Sequence, residues 1–152
     1  MNIVVIPALH ATPAAEPAFW LEGGPGAAAT EAAGVVSLKY LRNFRSDHDL
    51  VFVDERGTGI SNPLKCDDIG ENPANLDAYF GKLFPPQRIR ACREKLDKAA
   101  NLKLYTTAIA EDDLEDVRSA LGYKRINLAG ASYSVVSWVM AVPLWPVCRQ
   151  LG

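Results

Sequence analysis

Short apolar runs closed by glycine or proline set the pattern of the chain. Asn2 to Ile6 is β-branched and apolar and stops at Pro7; Ala18 to Glu22 ("AFWLE") runs straight into "GGPG"; Leu50 to Asp54 ("LVFVD") runs into "ERGTG". Runs of this length between breakers predict buried strands. Ala27 to Leu41 carries a helical pattern with Ala32, Val35, Val36 and Lys39 as a mixed stripe. From Ala110 the period sharpens, with Leu114, Val117 and Leu121 at i, i+3 and i+7. Glu111, Asp112 and Asp113 are placed to complement the positive end of that helix, and Gly122 to end it in the left-handed conformation. Arg125 to Ala129 ("RINLA") then predicts a buried strand delivering Gly130. Alternating strands and helices predict an α/β fold, a mostly parallel sheet with flanking helices. The stretch Asn62 to Thr107, with four prolines and a helix expected over Arg88 to Ala100, interrupts the alternation and reads as an irregular and helical excursion within a single domain spanning 1–152.

Composition narrows the partners. With 152 residues, 49% of them hydrophobic and 22% charged, the chain is long enough to bury a core. Its 18 acidic and 16 basic side chains are scattered. Without a basic stripe, neither nucleic acid nor an anionic membrane surface is an expected partner. The runs "NIVVIPAL" and "VVSWVMAVPLW" fall short of the roughly 20 residues a spanning helix needs, and no positively charged segment precedes the first as in a signal peptide. Compartment and oligomeric state stay open. Cys66, Cys92 and Cys148 lack C-x-x-C spacing, so no metal and no cofactor is expected. Cys66 and Cys92 bracket a polar, proline-rich segment, which suits a loop-closing disulfide in an exported protein and two inert thiols otherwise.

The candidate chemistry lies in "NLAGASYSVVSW", Asn127 to Trp138. Gly130, Ala131, Ser132, Tyr133 and Ser134 stand where a strand gives way to an expected helix, the setting in which G-x-S-x-G forms a nucleophile elbow. Ser134 replaces the second glycine. Such a turn aims the N–H of the residue after the nucleophile, Tyr133, at a developing oxyanion. The bland alternative is a turn or a helix cap. A second glycine loop, Gly23, Gly24, Pro25 and Gly26, follows an earlier strand, and both loops would lie at the carboxyl ends of parallel strands, where open α/β sheets place ligands.

In order and spacing, "FWLEGGPG", "LVFVDERGTGISNPLKC" and "DLEDVRSALGYKRINLAGASY" resemble the proline iminopeptidase and tripeptidyl aminopeptidase branch of the α/β hydrolases, over roughly Ala18 to Tyr133. The most selective element is the D-x-R-G-x-G-x-S run at Asp54, Arg56, Gly57, Gly59 and Ser61. The resemblance implies a serine peptidase that removes residues from the amino end of peptides, with Ser132 as nucleophile and the N–H groups of Tyr133 and Gly24 as oxyanion donors, Gly23 being the alternative donor. The substrate would be a peptide or a small ester or amide. Asp54 and Arg56 are expected to brace a loop beside the site through an internal salt bridge. Exported relatives often carry a cysteine pair near Cys66 and Cys92, which favours the disulfide and an exported parent protein.

After Tyr133 the resemblance stops. Residues 134–152 form a divergent tail in which Val135, Val136, Val139 and Val142 disfavour a helix and Pro143 and Pro146 would end one. This fold takes its triad in the order Ser, acid, His, yet no Asp, Glu or His follows Ser132. His48 is expected at the amino end of the sheet, a strand length of about 17 Å from the catalytic edge, and His10 in a loop. These residues predict an incomplete α/β hydrolase, read from a truncated or frame-shifted form of a longer one. An unpaired edge on "RINLA" is expected, and a chain that is inactive alone. A non-catalytic remnant or binding module is the competing reading.

Overall fold

The computed structural model describes residues 1–10, 15–24, 26–66, 84–130, 132 and 148–150, the last three as backbone. It divides into two compact units, 1–63 with 106–152, and 64–105.

The first unit is built on a five-stranded sheet in the order β1 (Ile3–Ile6), β3 (Leu50–Val53), β2 (Ala18–Leu21), β4 (Ile126–Gly130) and β5 (Cys148–Gln150). β2 pairs in parallel with β3 and β4, and β4 with β5, whereas β1 runs antiparallel to β3, with Ile3 opposite Val53 and Ile6 opposite Leu50. The sheet is therefore mixed at one edge. The expected bare edge on β4 is also corrected, because residues 148–150 pair along it, Ile126 with Cys148 and Leu128 with Gln150.

Every residue of β2 and β3 is buried, which explains their unbroken apolar runs. Alternate side chains feed two cores. Phe19, Leu21, Val51, Val53, Ile126 and Leu128 face α3 (Thr107–Ala120) through its Leu114 and Val117. Ala18, Trp20, Leu50 and Phe52 face α1 (Ala29–Lys39) through Ala29, Ala33 and Val36. The buried stripe of α1 is thus Ala29, Ala33 and Val36, at i, i+4 and i+7. Val35, which the sequence pattern placed on that stripe, is 63% exposed. Small side chains win the inner positions because they let the helix lie close to Phe52 and Trp20.

α3 begins earlier than its acidic run. Thr106 caps it, its hydroxyl accepting from the N–H of Ile109 at 3.5 Å, and no acidic residue lies in the first turn. Glu111, Asp112 and Asp113 therefore stand a turn too late to act on the helix dipole. The helix ends as expected: Gly122 is left-handed at φ 76, its N–H bonded to the Ser119 carbonyl. Leu121 lies outside the buried stripe, 38% exposed.

In the second unit, α2 (Pro86–Asp97) starts with a proline at its first helical position and is tied by a Cys66–Cys92 disulfide.

Candidate active site

The register of the parallel strands brings the two glycine-bearing segments to one edge. Leu21 is level with Gly130 on adjacent strands, so Glu22, Gly23 and Gly24 leave the sheet beside the turn that holds Ser132. Ser132 is exposed and has φ 62. A residue with a Cβ pays for this left-handed conformation with strain of about 1–2 kcal/mol, and such outliers persist where the surroundings over-determine them. Gly24 is also left-handed, at φ 53. The N–H of Gly23 is donated to Glu22 Oε1 at 3.1 Å. Tyr133 and Ser134, with the helix question they raise, lie outside the described residues, as does Pro25.

The loop between β2 and α1 is anchored from β3. Asp54, fully buried, accepts from the N–H of Thr30 at 2.9 Å, the Thr30 hydroxyl at 3.0 Å and Asn2 Nδ2 at 2.8 Å. Ala28, the residue at the cap of α1, has no side-chain bond to give, so Asp54 supplies the missing acceptor from a distant strand. Burial works against its charge, but the bonds from Asn2 and Thr30 outweigh it and hold the carboxyl below its ordinary range. Gly59, at φ 49, must be glycine. A Cβ there would lie 2.2 Å from Asp54 Oδ2. Ser61 completes the brace, its hydroxyl accepting from the N–H of Asn2 at 2.8 Å.

Arg56 forms its salt bridge across to α3, where Nε and Nη2 grip Asp113 at 2.6 and 2.5 Å. The sequence run had set Asp54 and Arg56 together, but each finds its partner elsewhere, Asp54 in Asn2 and Thr30 and Arg56 in Asp113. Beside this pair, Glu55 has its pKa raised, first by burial and then by the charges of Asp113 and Glu111. Glu111, 4% exposed, is likewise raised by burial and by Asp112, and its Oε1 is buried with no hydrogen-bond partner among the described residues.

Both histidines sit at the opposite end of the sheet. His48 stacks on Phe44 at 4.0 Å and its Nδ1 lies 2.7 Å from the carbonyl oxygen of Glu16, just before β2 begins. The backbone N–H of His10 bonds to the Ser46 carbonyl. Among the described residues no group of three or more His, Cys, Asp or Glu side chains could hold a metal ion, and no helix is long and apolar enough to cross a membrane.

No family model matches the chain. The solved proline iminopeptidase of Mycobacterium smegmatis superposes with a TM-score of 0.57 at 19% identity, over 97% of this chain and 40% of that one. An α/β hydrolase enzyme from a Medee basin deep-sea metagenome library gives 0.58 at 16% identity, over 98% and 38%. The chain has the α/β-hydrolase fold. A third α/β hydrolase of this type, the proline iminopeptidase-related protein of Thermus thermophilus, gives 0.54 at 18% identity, over 98% and 43%. In sequence the chain is 28% identical over 136 residues to the tripeptidyl aminopeptidases of Streptomyces coelicolor and Streptomyces lividans, over 82% of its length. It spans about a quarter of the length of those relatives, 25% in each case.

Asp54 as the cap of α1 and Asp113 as the partner of Arg56 were not foreseen. Thr30, placed at the start of a helix that follows an uncapped Gly-Ala run, was the available signal for the first. For the second, Asp113 sits at i−4 to the helix position Val117 that faces the core, close enough to the sheet edge to meet a strand-end arginine.

Proposed function

We propose that this chain carries the nucleophile-bearing part of a serine hydrolase acting on peptides with a free amino end, or on small esters and amides. Ser132 is the nucleophile, and the N–H groups of Tyr133 and Gly24 stabilise the oxyanion. The observation that carries the reading is the left-handed backbone of Ser132 directly beyond β4, level with the loop that leaves β2. A strained, exposed serine at the carboxyl edge of a parallel sheet is poorly explained by packing and well explained by the need to present Oγ to a ligand. Gly24 is preferred to Gly23 because the Gly23 amide is already donated to Glu22. Whole-protein relatives named as tripeptidyl aminopeptidases support peptide substrates.

These 152 residues alone have little turnover in this reading. A serine hydroxyl is a weak nucleophile at neutral pH without an adjacent base. No Asp, Glu or His follows Ser132, and His48 is committed to Glu16 beyond the far end of β2. Removing a triad base costs on the order of 10⁴ to 10⁶ in turnover. That same placement of the histidines favours a second reading, a non-catalytic module in which the glycine loops serve as scaffold.

A fluorophosphonate probe separates the two. Attack by Ser132 Oγ on phosphorus expels fluoride and releases the hydroxyl proton to water, leaving a stable adduct visible by intact mass. The expected result is slow labelling confined to Ser132 and absent in Ser132→Ala. Folded protein that stays unlabelled after prolonged exposure overturns the nucleophile assignment.

A further inference from the structure

While α1 buries Ala29, Ala33 and Val36 against the sheet, it turns a second apolar row outward. Val35 is 63% exposed and Leu38 67% exposed. Single exposed apolar residues are ordinary on a protein surface. These two are neighbours at i and i+3, and a charge closes the row at either end. Glu31 stands one turn before Val35, so that 31, 35 and 38 run i, i+4 and i+7 along one helix face. Arg42 stands in the turn just beyond the helix end. Both charged residues are exposed, and neither forms an ion pair with any described residue. Gly34 lies exposed beside the row, with nothing within 4 Å of the place a Cβ would take. A glycine inside a helix is unfavourable, and no described neighbour calls for one here.

We propose that this face pairs with the same face of a second copy of the chain, the two α1 helices lying antiparallel across a two-fold axis. Every contact in such a dimer occurs twice, so the row has to complement itself when reversed. An axis crossing α1 between Val36 and Ser37 sets Val35 against the partner's Leu38, and Leu38 against the partner's Val35. The same axis sets Glu31 against the partner's Arg42, once at each end of the contact. A parallel pairing would bring like charges together instead. Gly34 leaves room for the partner's backbone to come close beside Leu38. With 11 residues, α1 is about 16 Å long. The contact is therefore smaller than that of a permanent dimer, and the association is micromolar or weaker.

Sedimentation equilibrium of the 152-residue chain, from about 10 μM to 1 mM to bracket weak association, tests this. The expected result is an average mass that climbs with concentration from monomer towards dimer and no further. Leu38→Glu weakens the dimer by about a hundredfold or more, because the lost apolar contact occurs twice. Glu31→Arg and Arg42→Glu each weaken it by about tenfold, since each sets like charges together at both ends. An equal mixture of these two variants associates as tightly as the original chain, because every charge then faces its opposite. A chain carrying both reversals recovers the original association for the same reason, and serves where a single reversal fails to fold by circular dichroism. A chain that stays monomeric throughout the range overturns the proposal. So does association that Leu38→Glu leaves unchanged, or a failure of both the mixture and the double reversal to restore it.

Discussion

Replacing Gly59 by alanine should damage the fold far more than its size implies. Two costs add. The backbone at φ 49 is left-handed, which charges an alanine about 1–2 kcal/mol. The new methyl would also stand 2.2 Å from Asp54 Oδ2, 2.6 Å from its Cγ and 2.9 Å from the Ala28 Cβ. Asp54 must then move, and it is fully buried with its oxygens committed to Asn2 and Thr30. Each bond to a charged group contributes about 1.5–3 kcal/mol, so losing two brings the total to about 4–8 kcal/mol. That approaches the whole stability of a domain this size, about 5–15 kcal/mol. Gly122→Ala is the control, because Gly122 is left-handed at φ 76 but has nothing within 4 Å of an added Cβ. It should cost the torsional strain alone. Urea unfolding followed by circular dichroism reads both. With a common slope of about 1–3 kcal/mol/M, Gly59→Ala should lower the midpoint about four times as far as Gly122→Ala does, or fail to accumulate as folded protein. Equal shifts in the two variants would refute the claim that Asp54 is locked in place by its neighbours.

Ser132→Gly should raise the thermal midpoint while Ser132→Ala should not, since only glycine relieves the left-handed strain at φ 62; a gain of about 1 kcal/mol is expected, and no difference between the variants would count against stored strain at the turn. Glu111→Met, which removes the buried acceptor together with its charge, should stabilise the protein at neutral pH by about 1–3 kcal/mol, the cost of a buried unsatisfied group. The sign follows from burial and Asp112 raising the Glu111 pKa: the folded state binds the extra proton, so the contribution of this group to stability is greatest at low pH and declines as pH rises through the raised value. Thermal midpoints between pH 4 and pH 8 should therefore fall less steeply in the variant, and parallel slopes would exclude the assignment. Serine at both Cys66 and Cys92 opens a link across 26 positions, with a loss of up to about 3–4 kcal/mol; hydrogen exchange should show lost protection in 86–97 and unchanged protection in β2, β3 and β4.

What could be read from the sequence divides along the range of the interaction responsible. β2 and β3 were legible to within a residue because burial on both faces leaves an unbroken apolar run, and β4 because its short run stops at a glycine. Gly122 and the turn at Ser132 were legible because a left-handed backbone restricts its immediate neighbours to small or turn-forming residues. The stripe of α1 was misjudged at Val35, since the choice between Val35 and Ala33 is made by how close Phe52 and Trp20 lie. β1 could not be oriented from its own four residues. β5 could not be seen, for "CRQ" has no apolar run and becomes a strand by pairing with β4. Asp54 and Asp113 were visible as charges but not as partners, because a cap supplied 24 residues away and an ion pair 57 residues away leave no local spacing to detect. A catalytic constellation combines both kinds of signal. The nucleophile is held by a turn that imprints its neighbours, whereas a general base is selected by where its ring lands in space. His48 shows the part that topology alone settles: the strand that follows it puts it at the amino end of the sheet, where its ring nitrogen meets the Glu16 carbonyl.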